Sequence, residues 1–313
     1  MYGWVANTDF GWYEFLSKLE TPDEVNFWRP SAFQAFRGES GAPFFFKLKK
    51  PHYAICGFGF VAKYSALPDW LAWECFGESN GCTSLQAMQE RVRELRGSIG
   101  YKGKTPADHI GCIIIVEPVF FSRDAWVSQP TDWSPRNLTN QRYDLMTGEG
   151  ARIWAECRER VSNVLTIGEA ADPLAGRDGS GRYGAPQLVR PRLGQGAFRV
   201  AVTDAYDRAC AATGEHSLPA LEASHIRPYA EPDNGPHEVS NGLLLRADLH
   251  RLFDTGYMTV TPEHRIEVSP RLRQDYSNGH TYYPHHGKIV RVPSTVSDHP
   301  APEWLRWHNE HKF

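Results

Sequence analysis

The sequence predicts an α+β protein of two domains, and three observations lead there. Its 313 residues, 41% of them hydrophobic, suffice for two ordinary cores. Short β-branched and aromatic runs are interspersed with amphipathic stretches of helical period. Between them lies DPLAGRDGSGRYGAPQ, Asp172–Gln187, a tract of Gly, Pro and Ser that reads as a linker. The expected layout is a first domain over 1–168, a linker over 169–189 and a second domain over 190–313.

The elements follow in order. Residues 3–16 mix apolar and polar positions around Trp4, Phe10, Trp12 and Phe15. Pro43–Leu48 (PFFFKL), His52–Val61 (HYAICGFGFV) and Ile110–Pro118 (IGCIIIVEP) are aromatic or β-branched and are expected as strands. Ser84–Arg96 is expected as a helix, capped by Ser84, with Leu85, Met88, Val92 and Leu95 on one stripe. A second helix is expected over Ala151–Val164, with Ile153, Trp154, Cys157 and Val161 inward. In the second domain Phe198–Ala212 reads as a helix stopped by Gly214. Ala220–Ile226 reads as a short strand, Leu243–Phe253 as an apolar helix and Tyr257–Thr261 as a closing strand.

Composition excludes several classes. No run of about 18 apolar residues is present, so no transmembrane helix is expected. The start, MYGWVANTDFGWYEF, lacks the basic-then-apolar pattern of a signal peptide. None of Cys56, Cys75, Cys82, Cys112, Cys157 and Cys210 forms a C-x-x-C pair, so no structural zinc is expected. A cytoplasmic protein with reduced thiols fits best. The net charge of −3 argues against a strongly basic nucleic-acid coat but leaves room for local positive patches.

Chemistry concentrates late in the chain, since eleven of thirteen histidines follow residue 215. His225 ends a short expected strand, Asn241 follows in the loop, and His250 sits on the next expected helix. Phosphodiester cleavage needs a base for water, a stabiliser for the pentavalent phosphate and a partner for the leaving oxygen. A neutral imidazole suits the first task. A divalent cation supplies the other two. An amide side chain can hold a histidine or its backbone in place. Asn241, preceding Gly242, also fits a helix cap.

The segments ALEASHIRPYA and NGLLLRADLHRLFDTGYMTVTP resemble the HNH, or ββα-metal, endonucleases. The resemblance extends through RPRLGQGAFRVAVTDAYDRACAATGE and the tail WHNEHKF, over residues 188–313. It implies that His225 is the general base, that Asn241 orients it or steadies the loop, and that His250 binds the metal. Many HNH enzymes place an Asp before the base, as second ligand, where this chain has Ser224. Ser224 and His250 are the ligand candidates, but a hydroxyl is a poor ligand for a hard cation, so the metal is expected to rest mainly on His250, waters and DNA phosphate, with Glu222, Asp248 or Asp254 assisting. Strand alternation is expected to turn Glu222 away from His225. Mg²⁺, Mn²⁺ and Ni²⁺ all remain open. Arg190, Arg192, Arg199, Arg227 and Arg246 are either solvated charges or contacts to the DNA backbone. His285, His286, His308 and His311 are expected as surface or packing residues.

VANTDFGWYEFLSKL, DEVNFWRPS, FFFKLKKPHYAICGFGF and LPDWLAWECFGESNG resemble the N-terminal domain of many bacterial HNH proteins and, more loosely, EVE and other PUA-like domains. That resemblance implies a small β-barrel holding an extruded base between aromatic walls. Trp28, Arg29, Phe45, Tyr53, Trp70 and Trp73 are the candidates, with Trp28 and Arg29 first. Lys47, Lys49 and Lys50 are candidates for a nearby backbone contact.

A reader joined to a cutter raises the nuclease's local concentration at marked DNA. The architecture therefore resembles modification-dependent restriction, a bacterial defence that cuts duplexes carrying methylated or hydroxymethylated cytosine. Two alternatives stay open: an HNH nuclease for unmodified DNA, and a DNA-binding protein whose nuclease has decayed. One HNH site makes one nick, so a homodimer is compatible with double-strand cutting.

Overall fold

A computed structural model describes residues 1–20, 22–98, 108–169, 193–230 and 235–313. The chain divides into two compact units, Met1–Arg192 and Leu193–Phe313. The expected linker tract, together with Arg190 and Arg192, lies outside the described residues.

The first unit is built on one mixed sheet. Its strands are β1 (Tyr2–Thr8), β2 (Glu24–Arg29), β3 (Pro43–Leu48), β4 (Ala54–Pro68), β5 (His109–Phe120), β6 (Val127–Ser128) and β7 (Asn140–Asp144). They run in the order β2-β5-β4-β3-β1-β7, with β6 on β4. β1 and β3 pair in parallel, and the other pairings are antiparallel. The mixed α+β architecture expected here forms, but a closed barrel is not detected among the described residues. β2 and β7 end the sheet, and no ladder joins them among the described residues. β4 is irregular against β5 at Phe58/Phe60 and Val61/Lys63, where bulges bend a strand. Gly57, at φ 157°, lies where a Cβ would stand 2.2 Å from the Val119 carbonyl, so β4 and β5 can approach closely there.

β3 shows why the sheet is buried on both faces. Period two sends Phe44 and Phe46 to one side and Phe45 to the other. The first face joins Trp12, Leu16, Val25, Ile113 and Ile115 under helix α1 (Phe10–Leu16). The second joins Val5, Ile55, Phe58 and Tyr143 to Ile153, Cys157 and Val161 of helix α4 (Gly148–Glu169). Helices α2 (Asp69–Phe76) and α3 (Leu85–Ser98) complete the unit. Ser84 Oγ accepts the Ala87 amide at 3.1 Å, and Met88 and Val92 are buried on the expected stripe.

The second unit begins with helix α5 (Gln195–Ala205). Strands β8 (Leu221–His225) and β9 (Gly242–Arg246) pair antiparallel, with His225 opposite Gly242, and helix α6 (Ala247–Asp254) follows at once. The expected helix over Leu243–Phe253 is thus half strand: Leu243, Leu244 and Leu245 are fully buried in β9. A short apolar run carries no period of its own, and pairing with β8 decides it. Strands β10 (Met258–Val260) and β11 (Ile266–Val268) form a second hairpin, beside helices α7 (Arg271–Tyr276) and α8 (Pro302–His311).

His308 fastens α8 to α6. Its ring stacks on Phe253 at 3.7 Å, Nε2 lies 3.0 Å from the Phe253 carbonyl, and Nδ1 lies 2.8 Å from Thr259 Oγ1. Burial pushes its pKa down to about 4, so it stays a neutral packing residue at neutral pH. No described helix is long and apolar enough to cross a membrane.

Candidate functional site

β8, β9 and α6 form a ββα unit with the candidate residues at its rim. In α6, Leu249 and Phe253 face the core, four residues apart. That registration places His250 and Asp254 one step round the helix, also four apart. His250 Nε2 lies 3.3 Å from Asp254 Oδ2, and its Nδ1 lies 2.7 Å from Glu222 Oε2 on β8. Burial disfavours charge on this ring, but the hydrogen bonds to Asp254 and Glu222 outweigh it and raise its pKa above the ordinary value. About half of each carboxylate side chain is exposed, 48% for Glu222 and 50% for Asp254, so the cluster opens to solvent.

Glu222 therefore reaches this cluster despite the alternation argument. Alternation separates Glu222 from His225 on the strand, whereas His250 comes to Glu222 from a helix crossing it. Ser224 departs the other way. It is fully buried, and its hydroxyl donates to the His225 carbonyl at 3.4 Å. The expected metal position at Ser224 is not supported by this placement, because burial keeps its oxygen from an open cation site.

One imidazole between two carboxylates is a donor set that suits a hard or borderline divalent cation. Among the described residues no three such side chains already converge in ligating geometry. The carboxylates are instead turned onto the two ring nitrogens.

His225 sits at the end of β8, partly accessible. Its ring lies flat on Phe198 of α5, with centroids 3.8 Å apart and planes 11° apart. Burial, then the neighbouring His237 and His250, push its pKa down to about 4. It is neutral at neutral pH, with one lone pair to offer a proton. His250 and Asp254 lie near enough to act on its charge. Sequence reasoning missed His237, whose Nδ1 is 2.9 Å from His225 Nε2. No spacing rule marks it among eleven late histidines.

Asn241 precedes a strand, not the helix that bears His250, so a cap on that helix is not its role. Fully buried, it closes the loop after His225: Nδ2 donates to the carbonyls of Arg227 and Pro236, both at 2.9 Å, and Oδ1 accepts the Arg227 amide at 2.9 Å. Gly235 is needed beside it, because a Cβ there would lie 1.9 Å from the Arg227 carbonyl. Asn241→Ala is expected to cost about 2–4 kcal/mol of stability, by leaving buried backbone groups unpaired. Chemical denaturation of the variant checks it, and a loss below about 1 kcal/mol would contradict the clamp.

The arginine candidates separate by contact. Arg246 forks onto Asp248, with Nε–Oδ1 at 2.9 Å. Arg227 lies over the rings of Trp304 and Trp307 at 5.7 and 5.5 Å. Both guanidinium groups are held within the unit. Arg199 follows Phe198 on α5 and is partly exposed.

In the first unit a cavity of about 840 Å³ is walled by Trp12, Phe15, Phe27, Trp28 and Phe33, with Asp9, Arg29, Arg91 and Asn140 as polar lining. Trp28 is fixed by donating Nε1 to the Asn80 carbonyl at 2.9 Å, and Asn80 is itself held by Asn26 at 2.8 Å. Asp9 and Arg91 pair at 2.6 Å. The buried Nε1 of Trp12 and Nε of Arg29 have no hydrogen-bond partner among the described residues. Of the six aromatic-pocket candidates, Trp28 and Arg29 line this cavity, and Phe45, Tyr53, Trp70 and Trp73 do not. Phe45 is fully buried on the opposite sheet face against Trp154. Tyr53 is an exposed turn residue at φ 48°, and Trp70 and Trp73 belong to α2. Lys47 is buried, with Nζ donating to Asn7 Oδ1 at 3.1 Å and lying 4.8 Å from the Trp133 ring, so it is not poised for a DNA backbone. Lys49 lines the cavity.

Residues 210–261 match the HNH endonuclease family, so the second unit contains an HNH nuclease domain. No curated protein matches the chain. Among solved structures, an ASCH protein from Zymomonas mobilis is similar at 10% identity and TM-score 0.32, covering 48% of this chain and 94% of that one. A modification-dependent TagI restriction endonuclease is similar at 12% identity and TM-score 0.29, covering 97% of this chain and 79% of that one.

Proposed function

We propose that this chain, which carries an HNH nuclease domain, is a metal-dependent DNA endonuclease directed to duplexes with modified cytosine. The observation that carries the cutting role is the open rim of the ββα unit, where neutral His225 stands near His250 and Asp254, and Glu222 holds the other nitrogen of His250. His225 takes a proton from the attacking water. Phe198 holds its ring in plane, and Asn241 fixes the loop that leaves β8. Glu222, His250 and Asp254 would hold a divalent cation, which supplies Lewis-acid stabilisation of the phosphate and the leaving oxygen. A decayed nuclease would be suggested by Ser224 standing in place of the usual carboxylate, and that reading weakens with two carboxylates already on His250.

Reading of a marked base is supported by the cavity of the first unit. Flat walls at Trp12, Trp28 and Phe33 suit stacking. The unpartnered donors on Trp12 and Arg29 suit the acceptors on a base edge. The test compares duplexes that differ only in methylated, hydroxymethylated or plain cytosine. Preferential cutting of modified DNA is expected, and Trp28→Ala is expected to reduce that preference about 10-fold or more through lost stacking. Equal cutting of all three by the wild type would discard the reader role and leave a nuclease for ordinary DNA.

A further inference from the structure

His237 lies in the loop between β8 and β9, and its surroundings are built around a second imidazole. Tyr229 stacks on it at 3.8 Å and 21°, as Phe198 stacks on His225. The two histidine rings are 5.0 Å apart, with Nδ1 of His237 facing Nε2 of His225 at 2.9 Å. Asn241 also holds the residue before it, through the Pro236 carbonyl. Two aromatic plates and a buried amide thus fix the relative position of the pair.

Hydrogen counting then limits the states. A neutral imidazole has one N–H and one lone pair. If His237 donated, the lone pair of His225 would be spent on it and the hydrogen of His225 would sit on Nδ1. The ring would then have nothing with which to accept a proton from water. We propose that His237 accepts the hydrogen bond from His225 Nε2–H, fixing the tautomer whose lone pair lies on Nδ1, and that this Nδ1 is the base in DNA cleavage. His237 is a positioning residue in this scheme, and the inference rests on the endonuclease reading.

The step balances. Water forms its bond to phosphorus and gives one proton to His225 Nδ1. His225 becomes an imidazolium with hydrogens on both nitrogens, and its Nε2–H keeps the hydrogen bond to the lone pair of neutral His237 Nδ1. The phosphorus–oxygen bond to the leaving 3′ oxygen breaks, and that oxygen takes its proton from solvent. A third aligned group that sets the tautomer of a histidine base is a recurring requirement of this chemistry.

Two variants of the full chain test it. His237→Phe keeps a ring to stack on Tyr229 and removes the acceptor. His237→Asn offers an amide oxygen close to where Nδ1 stood. Ring-nitrogen NMR of ¹⁵N-histidine-labelled protein, with signals assigned by their loss in His225→Ala, reads the tautomer directly. Wild type is expected to show a pyrrole-type Nε2 and a pyridine-type Nδ1 at His225. His237→Phe is expected to lose that preference and to cut duplex DNA about 10- to 100-fold more slowly in single turnover, with Kd for DNA within about twofold, while His237→Asn recovers most of both. A hydrogen on His225 Nδ1 in the wild type, or a His237→Phe variant cutting at the wild-type rate, overturns the proposal. If wild type cuts no DNA in any divalent metal, the endonuclease reading fails, and the nitrogen spectrum still decides what His237 does to His225.

Discussion

His225→Ala is expected to lower single-turnover DNA cleavage by about 10³-fold or more, with duplex binding near that of the wild type. The variant removes the ring that burial and neighbouring histidines hold neutral, with a pKa near 4. No other described imidazole shares both its stack on Phe198 and its place at the end of β8. Binding survives because phosphate contacts, not the base, set most of the affinity for DNA. Removing a half-buried ring also leaves a gap beside Phe198, so a thermal melt belongs with the kinetics. A rate within a few fold of wild type, in a folded variant, would place the base elsewhere.

Removing divalent metal is expected to stop cleavage altogether, and adding Mg²⁺ or Mn²⁺ back to restore it. Glu222→Gln and Asp254→Asn are each expected to weaken metal binding about 10- to 100-fold. pH adds a signed test. His250 binds a cation only as the neutral ring, and its two carboxylates raise its pKa despite burial. Proton and metal compete, so affinity is expected to climb as pH rises through this raised pKa and to level off above it. Calorimetric titration with Mn²⁺ across neutral pH measures it. An affinity that does not change with pH would show that His250 is not a ligand.

Candidate residues are legible in the sequence where they stand close along the chain. His225, Asn241 and His250 lie within one ββα unit, so a spacing rule can reach all three. Legibility failed where tertiary contacts decide. Leu243–Leu245 has no period that separates strand from helix, and only pairing with β8 settles it. Glu222 joins His250 because a helix crosses the strand, which alternation along one strand does not describe. His237 meets His225 only after Asn241 has folded the intervening loop back. In the first unit aromatic density marks a core and a cavity alike. Phe45 and Trp28 are both candidates in sequence, Trp28 ahead, and only the fold separates a buried core ring from a cavity wall. Closure of the expected barrel is likewise not legible, since the register shifts of β4 against β5 are invisible to composition.

The most direct test is anomalous diffraction from crystals of the full chain with a short duplex and Mn²⁺. A single strong peak is predicted against His250, with a carboxylate oxygen of Glu222 or Asp254 and a DNA phosphate beside it, and with His225 across that phosphate. A metal bound away from His250, or a phosphate that His225 does not face, would contradict the account.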